Sequence, residues 1–134
     1  DGEIYFHDSE FREDFSIAQP IDQNWFMHEM VHVWQYQLGY PIALRGAIRF
    51  GLNYAYFLKR GKKLSDFNME AQGNLLADYF GLRYLKTPKA MNQKEYRNSL
   101  ILYEEVINEF LKNRKSKTNL PGNDIDHEPL FDMP

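Results

Sequence analysis

Residues 23–38 read QNWFMHEMVHVWQYQL, sixteen positions without a glycine or a proline. Pro20 and Asp22 precede them as a start signal with Asp22 as N-cap, and Gly39 and Pro41 follow as a stop, so the stretch predicts a helix. Within it lies His28-Glu29-Met30-Val31-His32. At 100° per residue, His28 and His32 stand only about 40° apart around the axis and one turn apart along it, so both imidazoles reach one metal ion. Glu29 sits beside them, placed to reach a metal-bound water rather than the metal. Zinc in such a site lowers the pKa of its water to about 7, and a neighbouring carboxylate takes the proton. Phe26, Met27, Met30, Val33, Trp34 and Leu38 cover the side away from the histidines. A helix apolar nearly all round belongs in the middle of a domain.

Two histidines leave a catalytic zinc one protein ligand short. The chain has no cysteine, so the third ligand comes from His7, His127 or a carboxylate. An extended motif with glycine and histidine further along the same helix is excluded, because Gln35 and Leu38 stand at those positions. Glu70 leads among the carboxylates. It opens a second predicted helix, Met69 to Leu85, capped from within Ser65 to Asn68 and ended by Thr87-Pro88. Gly73, Ala77 and Gly81 recur on the side of that helix adjoining Glu70. A helix glycine costs about 1 kcal/mol relative to alanine, and close approach to the histidine helix is the reason expected for it. Asn74, Asp78 and Gln35 are candidates to orient a ligand imidazole. Tyr40, Tyr54, Tyr56, Arg45 and His127 are candidates to stabilise an oxyanion.

Around this centre, residues 2–6 (GEIYF) and 53–58 (NYAYFL) read as strands. Lys59-Arg-Gly-Lys-Lys63 reads as a solvated basic turn. A third helix is expected from a capping box at Asn92–Glu95, with Tyr96, Leu100, Tyr103, Ile107 and Phe110 forming its core stripe. The tail from about 113 to 134 reads as irregular. Ten Phe, nine Tyr and two Trp among 134 residues give core material for one domain spanning 1–134. A net charge of −3 does not suggest a nucleic-acid binder, and no apolar run approaches the roughly 20 residues of a membrane span. The expected fold class is therefore α+β: an active-site helix, a glutamate-bearing helix, a third packing helix and a small sheet.

These residues resemble the zincin metallopeptidases of the glutamate-ligand (gluzincin-like) type, in which an H-E-x-x-H helix is completed by a glutamate on a later one. The resemblance implies a zincin-like minidomain with His28, His32 and Glu70 as Zn2+ ligands and Glu29 as general base. Those enzymes commonly carry aspartate four residues after the third ligand, where this chain has Asn74. A narrower resemblance covers about Tyr5 to Phe80 and rests on residues 25–37, Arg45-Gly-Ala47, Met69-Glu-Ala-Gln72 and Asp78-Tyr-Phe80. It is to the zincin-like domains of bacterial polymorphic toxins, which occur with Rhs-repeat and VgrG-type proteins of type VI secretion. It implies a cargo domain of a larger delivery protein, in keeping with a chain that begins at Asp1. It also implies secretion or delivery into a target cell and its periplasm, and a cognate immunity protein as partner. The expected reaction is hydrolysis of an amide bond in a protein or peptide, or in a peptidoglycan cross-bridge. The alternative from another class is a non-catalytic zincin-like module that stabilises a binding surface in a secretion-associated protein.

Overall fold

Pro20 takes the first position of helix α1 (Pro20–Gln37), where its missing N–H costs nothing, and Gln19 rather than Asp22 is the cap residue. Asp22 instead lies in the first turn, favourable to the helix dipole. At the other end Gly39 adopts φ 98°, a left-handed conformation suited to glycine, and its N–H donates to the Tyr36 carbonyl. The structure, a computed structural model, describes residues 19–41 and 52–122.

Helix α2 (Met69–Phe80) is capped by Asn68, whose side chain accepts from the N–H groups of Glu70 and Ala71 at 3.0 and 2.8 Å. A cap of this kind stabilises by about 1 kcal/mol. The chain continues as a π-helical turn, Gly81–Leu85, and stops at Lys86 in a left-handed conformation just before Thr87-Pro88. The span expected for the second helix is thus present, with its last turn widened. Ten of the twelve residues of α2 are buried. It is α2, not α1, that is enclosed on nearly all sides.

On α1 the fully buried residues are Asn24, His28, Val31, His32 and Gln35, a face that is mostly polar. The apolar Phe26, Met27, Met30, Val33 and Trp34 are only half-buried, which corrects the expectation that they anchor the helix in the core. The packing of α1 is mainly against α2. The core proper gathers Val31, Leu75, Leu76, Tyr79, Met91, Tyr103 and Ile107, and each large side chain fully removed from water contributes about 1.5–3 kcal/mol.

The small sheet is not observed. Among the described residues there is no strand, and the α+β expectation gives way to a helical fold. Residues 2–6 lie outside the described residues. Residues 53–58 alternate towards their end as a strand would, with Tyr56 and Leu58 buried and Ala55 and Phe57 exposed. Side chains pair with this segment in place of a second strand: the Gln93 amide accepts from Tyr56 N–H at 2.7 Å and donates to Tyr56 C=O at 2.8 Å. The Tyr96 hydroxyl accepts from Leu58 N–H at 3.1 Å.

The third helix also differs from expectation. Asn92 does not cap it, because its side-chain amide donates to Asn24 and Asp78 and its backbone N–H to Asp78. A 3-10 turn, Lys94–Tyr96, comes first, and helices α3 (Leu100–Val106) and α4 (Asn108–Lys112) follow, separated at Ile107. The apolar stripe still faces inward through Tyr103 and Ile107. Beyond α4 the described residues, up to 122, are irregular apart from a 3-10 turn, Lys117–Asn119, and the Gly122 N–H donates to the Ser65 carbonyl.

Candidate metal centre

The close packing of α1 on α2 has its origin at Gly73. A Cβ placed there would stand 2.5 Å from Cε1 and 2.7 Å from Nδ1 of His28, so the imidazole lies directly on the helix backbone. Gly81 has no such neighbour; its nearest atom would be Thr87 Oγ1 at 3.5 Å. Close approach therefore accounts for Gly73 and not for Gly81.

This approach brings Glu70, wholly buried in the first turn of α2, onto both histidines. Glu70 Oε1 is 3.0 Å from His28 Nε2 and 3.0 Å from His32 Nε2, and the two Nε2 atoms are 3.1 Å apart. The three atoms form a nearly equilateral triangle. Ligand atoms bonded to tetrahedral zinc at about 2.0–2.1 Å stand about 3.3 Å from one another, so the triangle matches one face of such a site.

The chemistry of the donors agrees. His28 Nδ1 lies 2.7 Å from Asn74 Oδ1, and His32 Nδ1 lies 2.8 Å from Gln35 Oε1. An amide oxygen only accepts, so each Nδ1 carries a proton, and Nε2 is the nitrogen left to face a ligand. Two imidazole Nε2 atoms and a carboxylate oxygen facing one point are a donor set that a cation satisfies. The residues present thus fit a divalent metal of the zinc type.

Glu29 is half-buried and has a carboxylate oxygen within 4.8 Å of ligand nitrogens of both histidines. It lines, with Trp25, His28, Tyr54 and Asn74, an open cleft of about 220 Å3. The Tyr54 ring stacks on the His28 ring at 5.9 Å between centroids and 18° between planes. A larger apolar cavity of about 370 Å3, bordered by Met27, Met30, Trp34 and Phe110, is lined by no His, Asp or Glu and lies apart from this chemistry.

Of the residues expected to orient the imidazoles, Asn74 and Gln35 do contact them. Asp78 does not. Its two carboxylate oxygens accept from Asn24 Nδ2, Asn92 N and Nδ2, Gln93 N and the Tyr56 hydroxyl, fastening α1, α2 and the 92–93 loop together. Among the oxyanion candidates Tyr54 borders the cleft. Tyr56 is committed to Asp78 and to the Tyr103 hydroxyl, each at 2.5 Å. Burial and the Asp78 charge push the Tyr56 phenol well above its ordinary range. Tyr40 packs with Leu52 and Met69 in a separate apolar cluster. His7, Arg45 and His127 lie outside the described residues. The sequence reading missed Gln72, which bonds to Gln35 across the helix pair. Nothing local signals it, because its other partners are backbone carbonyls of Leu64 and Asn119.

Comparison with known proteins adds one likeness. Over 87 residues the chain is 44% identical to the type VI secretion system spike protein VgrG2b of Pseudomonas aeruginosa. That match takes in 59% of this chain and 8% of the spike protein, so the chain corresponds to a small part of that relative's length. No protein-family model matches the chain, and no solved structure matches it.

Proposed function

We propose that this chain is a zinc-dependent metallopeptidase domain of a type VI secretion-associated protein, with His28, His32 and Glu70 as zinc ligands and Glu29 as general base. The observation that carries the reading is the triangle of Nε2, Nε2 and Oε1 atoms with edges of 3.0, 3.0 and 3.1 Å, set beside a carboxylate on an open cleft. The likeness to VgrG2b supports the association with secretion.

His28, His32 and Glu70 would hold a zinc ion, which when bound would supply a water acidic enough to lose a proton near neutral pH and a Lewis acid for the scissile carbonyl. The chain's own residues do the rest. Glu29, one turn before Val33 and on the cleft side, accepts the proton of the attacking water and delivers it to the leaving amine nitrogen. Among the described candidates, the Tyr54 phenol borders the cleft beside His28 and would donate to the developing oxyanion. Glu70, wholly buried, would offset one charge of the ion. Protein or peptide is the substrate class, and the domain acts as an antibacterial effector delivered to a target cell, with an immunity protein as its partner.

Metal content and cleavage of casein, measured side by side for wild type, Glu29→Ala and Glu70→Ala, test this. Wild type and Glu29→Ala are expected to hold about one zinc per chain. Only wild type is expected to cleave. Full activity in Glu29→Ala would overturn the catalytic reading and favour a zinc-stabilised binding module. Undiminished zinc in Glu70→Ala would remove Glu70 from the ligand set.

A further inference from the structure

The hydrogen bonds behind the two histidines have a fixed direction. Gln72 Nε2 lies 2.9 Å from the Leu64 carbonyl and 3.0 Å from the Asn119 carbonyl, so both of its hydrogens are used and its oxygen must face Gln35. Gln35 Nε2 donates to that oxygen at 3.0 Å and to the Met69 carbonyl at 3.2 Å. Its own oxygen is thereby turned to His32 Nδ1. A flip of either amide would set oxygen against oxygen in a wholly buried place, where no water can relieve it. The same logic holds for His28: Asn74 Nδ2 donates to the Tyr54 carbonyl at 3.2 Å, and its oxygen faces His28 Nδ1. Backbone carbonyls cannot reverse their polarity, so each chain runs one way, from carbonyl to imidazole.

We propose that Gln72 and Gln35, relaying from the Leu64 and Asn119 carbonyls, and Asn74, relaying from the Tyr54 carbonyl, are positioning residues. They hold His32 and His28 with Nδ1–H donating to an amide oxygen and Nε2 turned towards Glu70. The proposal rests on the reading of His28, His32 and Glu70 as metal ligands, but it concerns the orientation of the two rings. Every member of the relay is an uncharged amide, so it fixes geometry without adding anionic charge behind the imidazoles. It also makes the 3-10 turn at Lys117–Asn119, far along the chain, part of what orients a ligand on α1.

Nitrogen-15 shifts of the histidine rings in the metal-free full chain, at about pH 8 where an ordinary imidazole is neutral, read the tautomers directly. The expected result is a protonated Nδ1 on both His28 and His32. A bare Nδ1 on either ring would overturn the proposal without any variant being made. Gln35→Leu is expected to release His32 alone into a tautomer mixture, and Asn74→Leu to release His28 alone. Each is expected to weaken zinc binding roughly ten- to hundredfold in chelator competition. Asn74→Asp keeps an acceptor facing His28 and is expected to retain the wild-type tautomer. Folded Gln35→Leu and Asn74→Leu variants with wild-type tautomers and zinc affinity would also overturn it. Wild type with the expected tautomers but no zinc binding would sink the metallopeptidase reading and leave the relay standing.

Discussion

His28, Glu70 and Gly73 together show how one missing side chain makes a site. The ring of His28 occupies the volume where a residue at 73 would begin, and only so does Glu70 reach Nε2. Gly73→Ala is therefore expected to raise the zinc dissociation constant at least about tenfold, because the displaced ring breaks the ligand triangle. The change also raises helix propensity by up to about 1 kcal/mol, so unfolding by urea is expected to move little compared with zinc affinity. Gly81→Ala meets only Thr87 Oγ1 at ordinary contact distance, and is expected to leave zinc binding unchanged in the same competition assay. At this scale the sequence was informative. Spacing of four on α1 sets His28 and His32 one turn apart, and spacing of four on α2 does the same for Glu70 and Asn74. A helix supplies that geometry from local bonds alone.

Between elements, the segment 53–58 shows why periodicity misled. Its later burial pattern suits a strand, yet the partner of Tyr56 is the side chain of Gln93, 37 positions away. Nothing in the segment's own residues distinguishes a neighbouring strand from a side-chain amide that copies one. The segment is held at its centre by the Tyr56 hydroxyl, which donates to Asp78 and accepts from Tyr103. Burial first, and then the Asp78 charge, raises the Tyr56 phenol, and burial likewise raises that of Tyr103. Stability from these neutral phenols is fully present below the unfolded tyrosine value of about 10 and is lost as pH rises towards the folded values. Urea titrations from pH 8 to 11.5 are expected to show stability falling above about pH 10. Tyr56→Phe is expected to cost about 1–3 kcal/mol at pH 8 and to flatten that fall, since it removes one of the groups that must ionise. An unchanged slope in this variant would assign the alkaline loss elsewhere.

At the scale of the whole molecule, Asp78 joins what the sequence keeps apart. One buried carboxylate receives donors from α1, from the segment before the basic turn and from the 92–93 loop. Asp78→Ala leaves several of those donors buried and unpaired, and is expected to destabilise by about 3 kcal/mol or more in urea unfolding, well beyond Asn74→Ala. Asp78 had looked equally able to orient a ligand imidazole, because a helical wheel gives direction but not the identity of the neighbour. The same limit explains α1, whose buried face is polar: the histidines, Asn24 and Gln35 are drawn inward by partners on α2 and beyond, while its aromatic side is left half-covered. The sequence by itself determined the two helices, their stops, the cap of α2 among Ser65 to Asn68, the grouping of His28, Glu29 and His32, and the small residue at 73, all of which follow from bonds and spacings within one or two turns. Only the tertiary structure decided that Glu70 meets both Nε2 atoms, that no strand forms among the described residues, and that Gln72 and Asn119 stand behind His32. Those outcomes depend on hydrogen-bond partners tens of residues apart, whose pairing is set by how buried polar groups find one another when the helices pack.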